Sequence, residues 1–234
     1  MDMKMKTTIR DTVKEHASEL RGLNSHGDLF KWSRAHGLDS QAGFSGFKKA
    51  LKAELGIDYA ALRGAAHEAK TEALEAAATA SLTLITDAKA RTDRFAVCDR
   101  NGNPVWFGKF FEDDRDYNGE QSSGEMAAAK KAVWLASKVK DALGAAAIRL
   151  TLKVDAEWLC YANAVAGNPM DNKTGGKARP LGELAQRYGI VLNIQHISGV
   201  SNPADKYTVC SGFKKWQDAD LLALVDPAPT TQVS

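Results

Sequence analysis

The chain has 234 residues, 44% of them hydrophobic, and carries 31 Lys and Arg against 29 Asp and Glu, a net charge of +2. That apolar share suffices for a packed core, while the near-neutral balance neither announces a nucleic-acid partner nor excludes one, because a local basic face vanishes in the sum. Three cysteines without a Cys-x-x-Cys pair, no zinc-like His spacing, no signal-peptide core after Met1–Lys6 and no bilayer-length apolar run lead to the expectation of a cytoplasmic protein with reduced thiols and no membrane partner.

Up to Ala80 the sequence reads as helices broken at Gly22–Gly27, Gly37–Gln41 and Gly56–Asp58, ending in an Ala-rich run from Tyr59 to Ala80 with Leu62, Ala66, Ala69 and Ala73 at helical spacing. Residues 1–80 are therefore expected to form a small helical domain. Trp32, Phe44 and Phe47 interleave with Lys48, Lys49 and Lys52, a pattern open to nucleic-acid binding. With 12 basic and 11 acidic residues the domain is no basic arm, and packing or protein docking explains it equally.

From Ser81 the texture changes. "SLTLITDAKARTDRFAVCDRNGNPVWFGKFFEDD" holds β-rich runs around Asn101-Gly102, a hairpin signal, and predicts a three-stranded meander. Ser122-Ser123-Gly124-Glu125 opens a helix with an expected stripe of Met126, Ala129, Val133, Ala136 and Leu143. A strand "AIRLTLKVD", a helix "AEWLCYANAVAG", a Gly/Lys loop over Asn168–Arg179, a short helix to Tyr188, a fifth strand "IVLNIQHI" and a last helix started by Asn202-Pro203 follow. The expected fold class is α/β, a mixed five-stranded sheet flanked by helices over 81–225, with 226–234 as a flexible tail.

Strand directions bring four acids together. If β-strand one rises and the meander alternates, the helix after strand three starts at the top with Glu125 in its first turn; right-handed crossovers then put Asp155 atop strand four and Asp205 beyond strand five, beside Asp87 at the end of strand one. Each acid has a structural role open to it: Glu125 in a capping box with Ser122, Asp155 as an N-cap, Asp87 at a turn, Asp205 in a helix's first turn. Jointly, four converging carboxylates repel unless protonated or bound to cations, and an all-oxygen set suits Mg²⁺ or Mn²⁺.

"LITDA" (84–88), "SSGEMAAAKKAV" (122–133), "LKVDAEWL" (152–159) and "HISGVSNPAD" (196–205) resemble, in order, the four motifs of the ribonuclease H family, closest to its gypsy-type retroelement branch, over about Ser81–Trp216. The resemblance implies a ribonuclease H-like fold and two-metal hydrolysis of the RNA strand of an RNA–DNA hybrid, with Asp87, Glu125, Asp155 and Asp205 as catalytic, metal-binding acids and Mg²⁺ or Mn²⁺, two ions, as cofactor. The sequence departs from the family where a histidine often follows the glycine matching Gly199: here stands Val200, with His196 in the preceding strand. First-hairpin glycines are replaced by "KARTDR", and Glu157 stands where an amide is common.

Candidate nucleic-acid contacts are Lys89 and Arg91 after Asp87, Gln121 and Ser122 before Glu125, and Lys173, Lys177 and Arg179 in the Gly/Lys loop; each has an ordinary reading as a capping or solvated group. Trp134 and Trp158 fit core positions better than stacking ones, and the run Glu112, Asp113, Asp114 and Asp116 reads as solvated. Two other functions stay open: a resolvase-like nuclease on structured DNA, and a noncatalytic module that binds nucleic acid or protein. An exonuclease of the proofreading type fits less well, since Asp87-Ala88-Lys89 is not Asp-x-Glu.

Overall fold

The computed structural model describes residues 3–111, 114–163, 175–216 and 221–227. Two compact units divide the chain, the first running to Ala69 and the second starting at Lys70.

The first unit contains α1 (Met3–Glu15), α2 (Ala17–Gly22), α3 (His26–Ala35) and α4 (Gln41–Ala50), which continues into a π-helical turn, Leu51–Leu55. Ser25 and Ser40 cap α3 and α4 by accepting the amides of Asp28 and Gly43. Gly56, at φ 71°, ends the π turn in the left-handed conformation that a side chain disfavours. Ile9, Val13, Leu20, Leu29, Trp32, Phe47 and Leu51 form its core. Trp32 and Phe47 therefore serve packing. They are not a stacking surface between the lysines.

In α5 (Tyr59–Ala77) the helix stops three residues before the expected end, because Ala78–Ala80 belong to the next strand, where Ala78 pairs with Ala147. Strand pairing here overrides alanine's helical propensity.

The second unit is built on β1 (Ala78–Lys89), β2 (Arg94–Asp99), β3 (Pro104–Lys109), β4 (Ala147–Val154) and β5 (Ile190–His196), in the order β3-β2-β1-β4-β5. β1, β2 and β3 pair antiparallel through two hairpins, and β1, β4 and β5 are parallel. Parallel neighbours need crossovers, supplied by α6 (Gln121–Ala142) and α7 (Gly175–Arg187), while α8 (Asp205–Val209) packs against β1, β2 and β3. The mixed pairing and the strand order are those of a ribonuclease H-like fold.

One sheet face and α6 enclose the main core, with Leu82, Leu84, Phe95 and Val97 against Ala128, Ala132, Val133 and Leu135. The buried stripe of α6 is wider than predicted, and Leu143 lies outside it: the helix ends at Ala142, and Leu143 is 39% exposed before the left-handed Gly144. Trp134 and Trp158 pack against this core as expected. On the other face Ile85, Ala96, Cys98 and Ala204 make a smaller cluster with Phe107 and Tyr207.

Four local expectations need correction. Lys177 and Arg179 lie within α7 and not in a loop; Ala178, Leu181 and Ala185, all buried, extend the apolar face upstream past Pro180. Lys173 is outside the described residues, as are Glu112 and Asp113. Asp114 is not solvated: it pairs with Lys131 at 2.6 Å with both side chains largely buried, and the Lys131 ammonium lies 5.0–5.9 Å from the rings of Phe95, Trp106, Phe110 and Phe111, which offset its desolvation. The run after Ala156 is a 3-10 helix over Glu157–Asn163. Finally, Asp226 does not begin a free tail, since its amide donates to Ser81 O at 2.7 Å and its carboxylate accepts from Thr83 at 2.9 Å.

Candidate metal centre

Asp87 sits inside β1, two residues before its end, and is only 3% exposed. A turn role is thereby excluded. Its Oδ2 faces the Thr208 hydroxyl of α8 at 3.3 Å, a hydroxyl that also lies 2.7 Å from Asp205 O.

Glu125 comes from the first turns of α6, and small residues bring it close. A Cβ on Gly124 would lie 3.3 Å from the Cβ of Ala88, so the helix rests on the strand right beside Asp87. No capping box with Ser122 forms, because α6 begins one residue earlier, at Gln121; Ser123 takes the local bonds, accepting from Asn118 N and donating to Glu120 O. Gln121 organises the acid instead. Its amide nitrogen donates to Ala88 O at 2.6 Å and to Glu125 Oε1 at 2.5 Å, and its Oε1 accepts from Ala90 N at 3.0 Å. The other oxygen, Glu125 Oε2, is buried without a hydrogen-bond partner.

Asp155 follows β4 directly. Its Oδ1 is also buried without a partner, and Gly199 packs on its other oxygen: a Cβ at 199 would sit 3.3 Å from Oδ2. The turn at Gly199–Ser201 leads to Asn202, which donates to Thr86 O at 3.0 Å and accepts from Ala204 N at 3.0 Å. Asn202 thus ties this turn to β1 beside Asp87, but it does not cap α8 as read from the sequence: the helix begins at Asp205, after Ala204 and without a side-chain cap, because the Asn202 side chain is spent on Thr86 O and Ala204 N. Asp205 stands in the first turn of α8, as read from the sequence.

One carboxylate oxygen from each of Asp87, Glu125 and Asp155 lies within 4.8 Å of the others. Asp205 is not in this group. It is 48% exposed and bonds through Oδ1 to the Lys89 ammonium. Lys89 follows Asp87 by two residues and so projects from the same face of β1; the sequence reading took it for a nucleic-acid contact and missed its pairing with Asp205. Thr208 and the Gln121–Glu125 bond were missed as well; the second was signalled by the i, i+4 spacing on one helix face.

Electrostatics follow from this crowding. Burial, then the charges of Asp155 and Asp205, pushes Asp87 up to about 6. Glu125 is pushed up to about 8 by burial and by Asp155 and Asp87, against the lowering hydrogen bond from Gln121. Asp155 is raised by burial and by Asp205, and lowered by its own amide, His196 and Lys89. A divalent cation reverses each repulsion, and the two orphaned oxygens in an all-carboxylate set fit one. Among the other predicted residues Arg91, Ser122 and Lys177 are exposed, Arg179 is half-buried, and Val200 is fully exposed.

No family model matches the chain, and neither a curated protein nor a solved structure gives a significant match. Fold and geometry on their own therefore carry the conclusion: this is a ribonuclease H-like fold with a buried Asp/Glu/Asp group able to hold a metal ion.

Proposed function

We propose that the protein is a metal-dependent nuclease that hydrolyses the RNA strand of RNA–DNA hybrids. The observation that carries this reading is the convergence of Asp87, Glu125 and Asp155 within 4.8 Å, with Glu125 Oε2 buried and unpartnered. Three crowded acids, two of them buried and the third half-buried, are a cost without cations; the same acids around cations would be a reaction centre. Two Mg²⁺ or Mn²⁺ ions, when bound, supply polarisation of the attacking water and stabilisation of the leaving oxygen.

The chain's own residues do the rest. Asp87, Glu125 and Asp155 would hold the ions, with Thr208 fixing the Asp87 carboxylate and Gln121 that of Glu125. Asp205 would join the set if Lys89, a cation suited to either acceptor, paired with a substrate phosphate instead. Arg91, Ser122, Lys173, Lys177 and Arg179 are proposed as contacts along the strands.

The Lys89–Asp205 pair and the exposed Val200, where a histidine is common in the family, also favour a second reading, a noncatalytic nucleic-acid or protein-binding module. Single-turnover cleavage of a labelled RNA–DNA hybrid with Mg²⁺ or Mn²⁺ decides between them. Asp155→Asn should slow cleavage by roughly a hundredfold or more with the fold intact. Cutting of branched DNA alone would assign the site to a resolvase-like nuclease, and no cutting of either substrate leaves the noncatalytic module.

A further inference from the structure

A groove of about 430 Å³ lies at the β3 edge of the sheet, away from the acids and unexplained by them. One wall is β3 with the residues after it, Trp106 to Phe111; the other is the segment Ser211–Lys215, which runs antiparallel beside β3 through reciprocal bonds between Phe107 and Lys214. Arg94 anchors that segment by donating to Gly212 O. The groove is thus built on the sheet.

Two features define what it can take. Phe213 and Phe111 are 76% and 53% exposed, unusual for rings that have an apolar core within reach. The charged lining residues, Arg94, Lys109, Lys214 and Lys215, are all cations, and none of the described lining residues is acidic. Arg94 and Lys214 are spent on Gly212 O and Pro104 O, so Lys109 and Lys215 are the ammonium groups set beside the exposed rings. Rings and cations together match the two faces of a nucleotide, a flat base and a phosphate, whereas an apolar peptide would leave those two charges unanswered.

Register links the groove to the acids. Asp87 is the partner of Ala96, Ala96 of Phe107, and Phe107 of Lys214, a straight line across the sheet. Three inter-strand steps at about 4.8 Å put Lys214 about 14 Å from Asp87. That is the rise of about four stacked nucleotides.

We propose that this groove is a binding site for an unpaired nucleic-acid strand, whose bases stack on Phe111 and Phe213 and whose phosphates meet Lys109 and Lys215. Joined to the nuclease reading, it makes the preferred substrate a duplex with a single-stranded extension; the binding itself does not depend on that reading.

The test is fluorescence anisotropy of a labelled single-stranded oligothymidylate with the full chain in EDTA, where cleavage plays no part. Phe213→Ala and Phe111→Ala should each weaken binding about tenfold, Phe213→Tyr should retain it, and Phe213→Leu should behave like alanine. Lys215→Ala should flatten the dependence of log affinity on log salt by about 0.7. Wild-type affinity in both alanine variants overturns the proposal. So does full binding by Phe213→Leu, which would mark an apolar face for a protein. If oligothymidylate binds as expected while no hybrid is ever cut, the groove stands and the nuclease reading alone fails.

Discussion

Glu125→Gln separates a metal centre from a structural acid without changing side-chain shape. The folded protein holds Glu125 near 8 against an ordinary 4.5, so the native state binds the extra proton and stability falls as pH rises from 4.5 through 8. Each pH step costs about 1.36 kcal/mol, on the order of 3 kcal/mol at neutral pH, an upper bound because neighbouring acids share the titration. Glutamine keeps the bond partner for Gln121 and carries no charge. Urea unfolding in EDTA at pH 5, 7 and 9, read by tryptophan fluorescence, measures this; Trp106, Trp134, Trp158 and Trp216 report on the unit that holds the acids. The variant should lose far less stability between pH 5 and 9, keeping only the shallower slopes of Asp87 and Asp155. Mg²⁺ or Mn²⁺ at a hundred times its dissociation constant should restore about 2.7 kcal/mol to wild type at pH 8 and little to the variant. Equal pH slopes in both proteins would refute the crowding argument, and equal metal responses would refute Glu125 as a ligand.

Lys89→Met should leave Asp205 unpaired among like charges, push Asp87 and Asp155 further up, and tighten Mn²⁺ binding by calorimetry while slowing hybrid cleavage; unchanged metal affinity would deny the lysine its place beside the acids. Gly124→Val should press α6 off Ala88, costing about 1–3 kcal/mol and weakening the metal response; wild-type stability would mean the close approach is dispensable. A chain starting at Lys70 should fold and keep the metal response, whereas one starting at Ser81 loses the Ala78–Ala147 pairing and the Arg149 bonds to Glu75 and Ala78, and should melt lower; equal melting temperatures would place the boundary at 80 after all.

Strand order was legible because three signals agreed: the Asn101-Gly102 turn, the apolar runs, and right-handed crossovers that allow only one parity. The same parity placed Asp87, Glu125 and Asp155 at one end of the sheet. What sequence could not yield was the partner of each atom. Ser122 and Glu125 satisfy a capping-box pattern, but the helix starts at Gln121, whose side-chain amide finds Ala88 O at the end of β1 and Ala90 N in the turn after it, contacts with no sequence period. Asp114 looked solvated because Lys131, 17 residues on, and four rings close over it only in the fold. The groove beside β3 was invisible for a similar reason: Phe213 and Lys214 follow the last motif and gain meaning only when Lys214 pairs with Phe107 and brings the segment alongside β3.

Asp205 is where the two functional readings part, and the pairing with Lys89 sets the terms. An ion pair at the rim of an acid cluster lowers the charge that the cluster presents, so it makes the cation-free state cheaper, and it does so at a half-exposed site where the pair itself contributes little to stability. Such a pair is readily exchanged. On the nuclease reading a substrate phosphate would offer the ammonium a second acceptor and leave Asp205 available as a further ligand. The buried acids have no such exchange open to them. Glu125 Oε2 and Asp155 Oδ1 lack any hydrogen-bond partner, and a glutamine or asparagine would fill the same volumes without the repulsion. Charge at those two positions is expensive for folding and useful for holding a cation, which is why the three inner acids, and not the exposed fourth, carry the case for a metal centre.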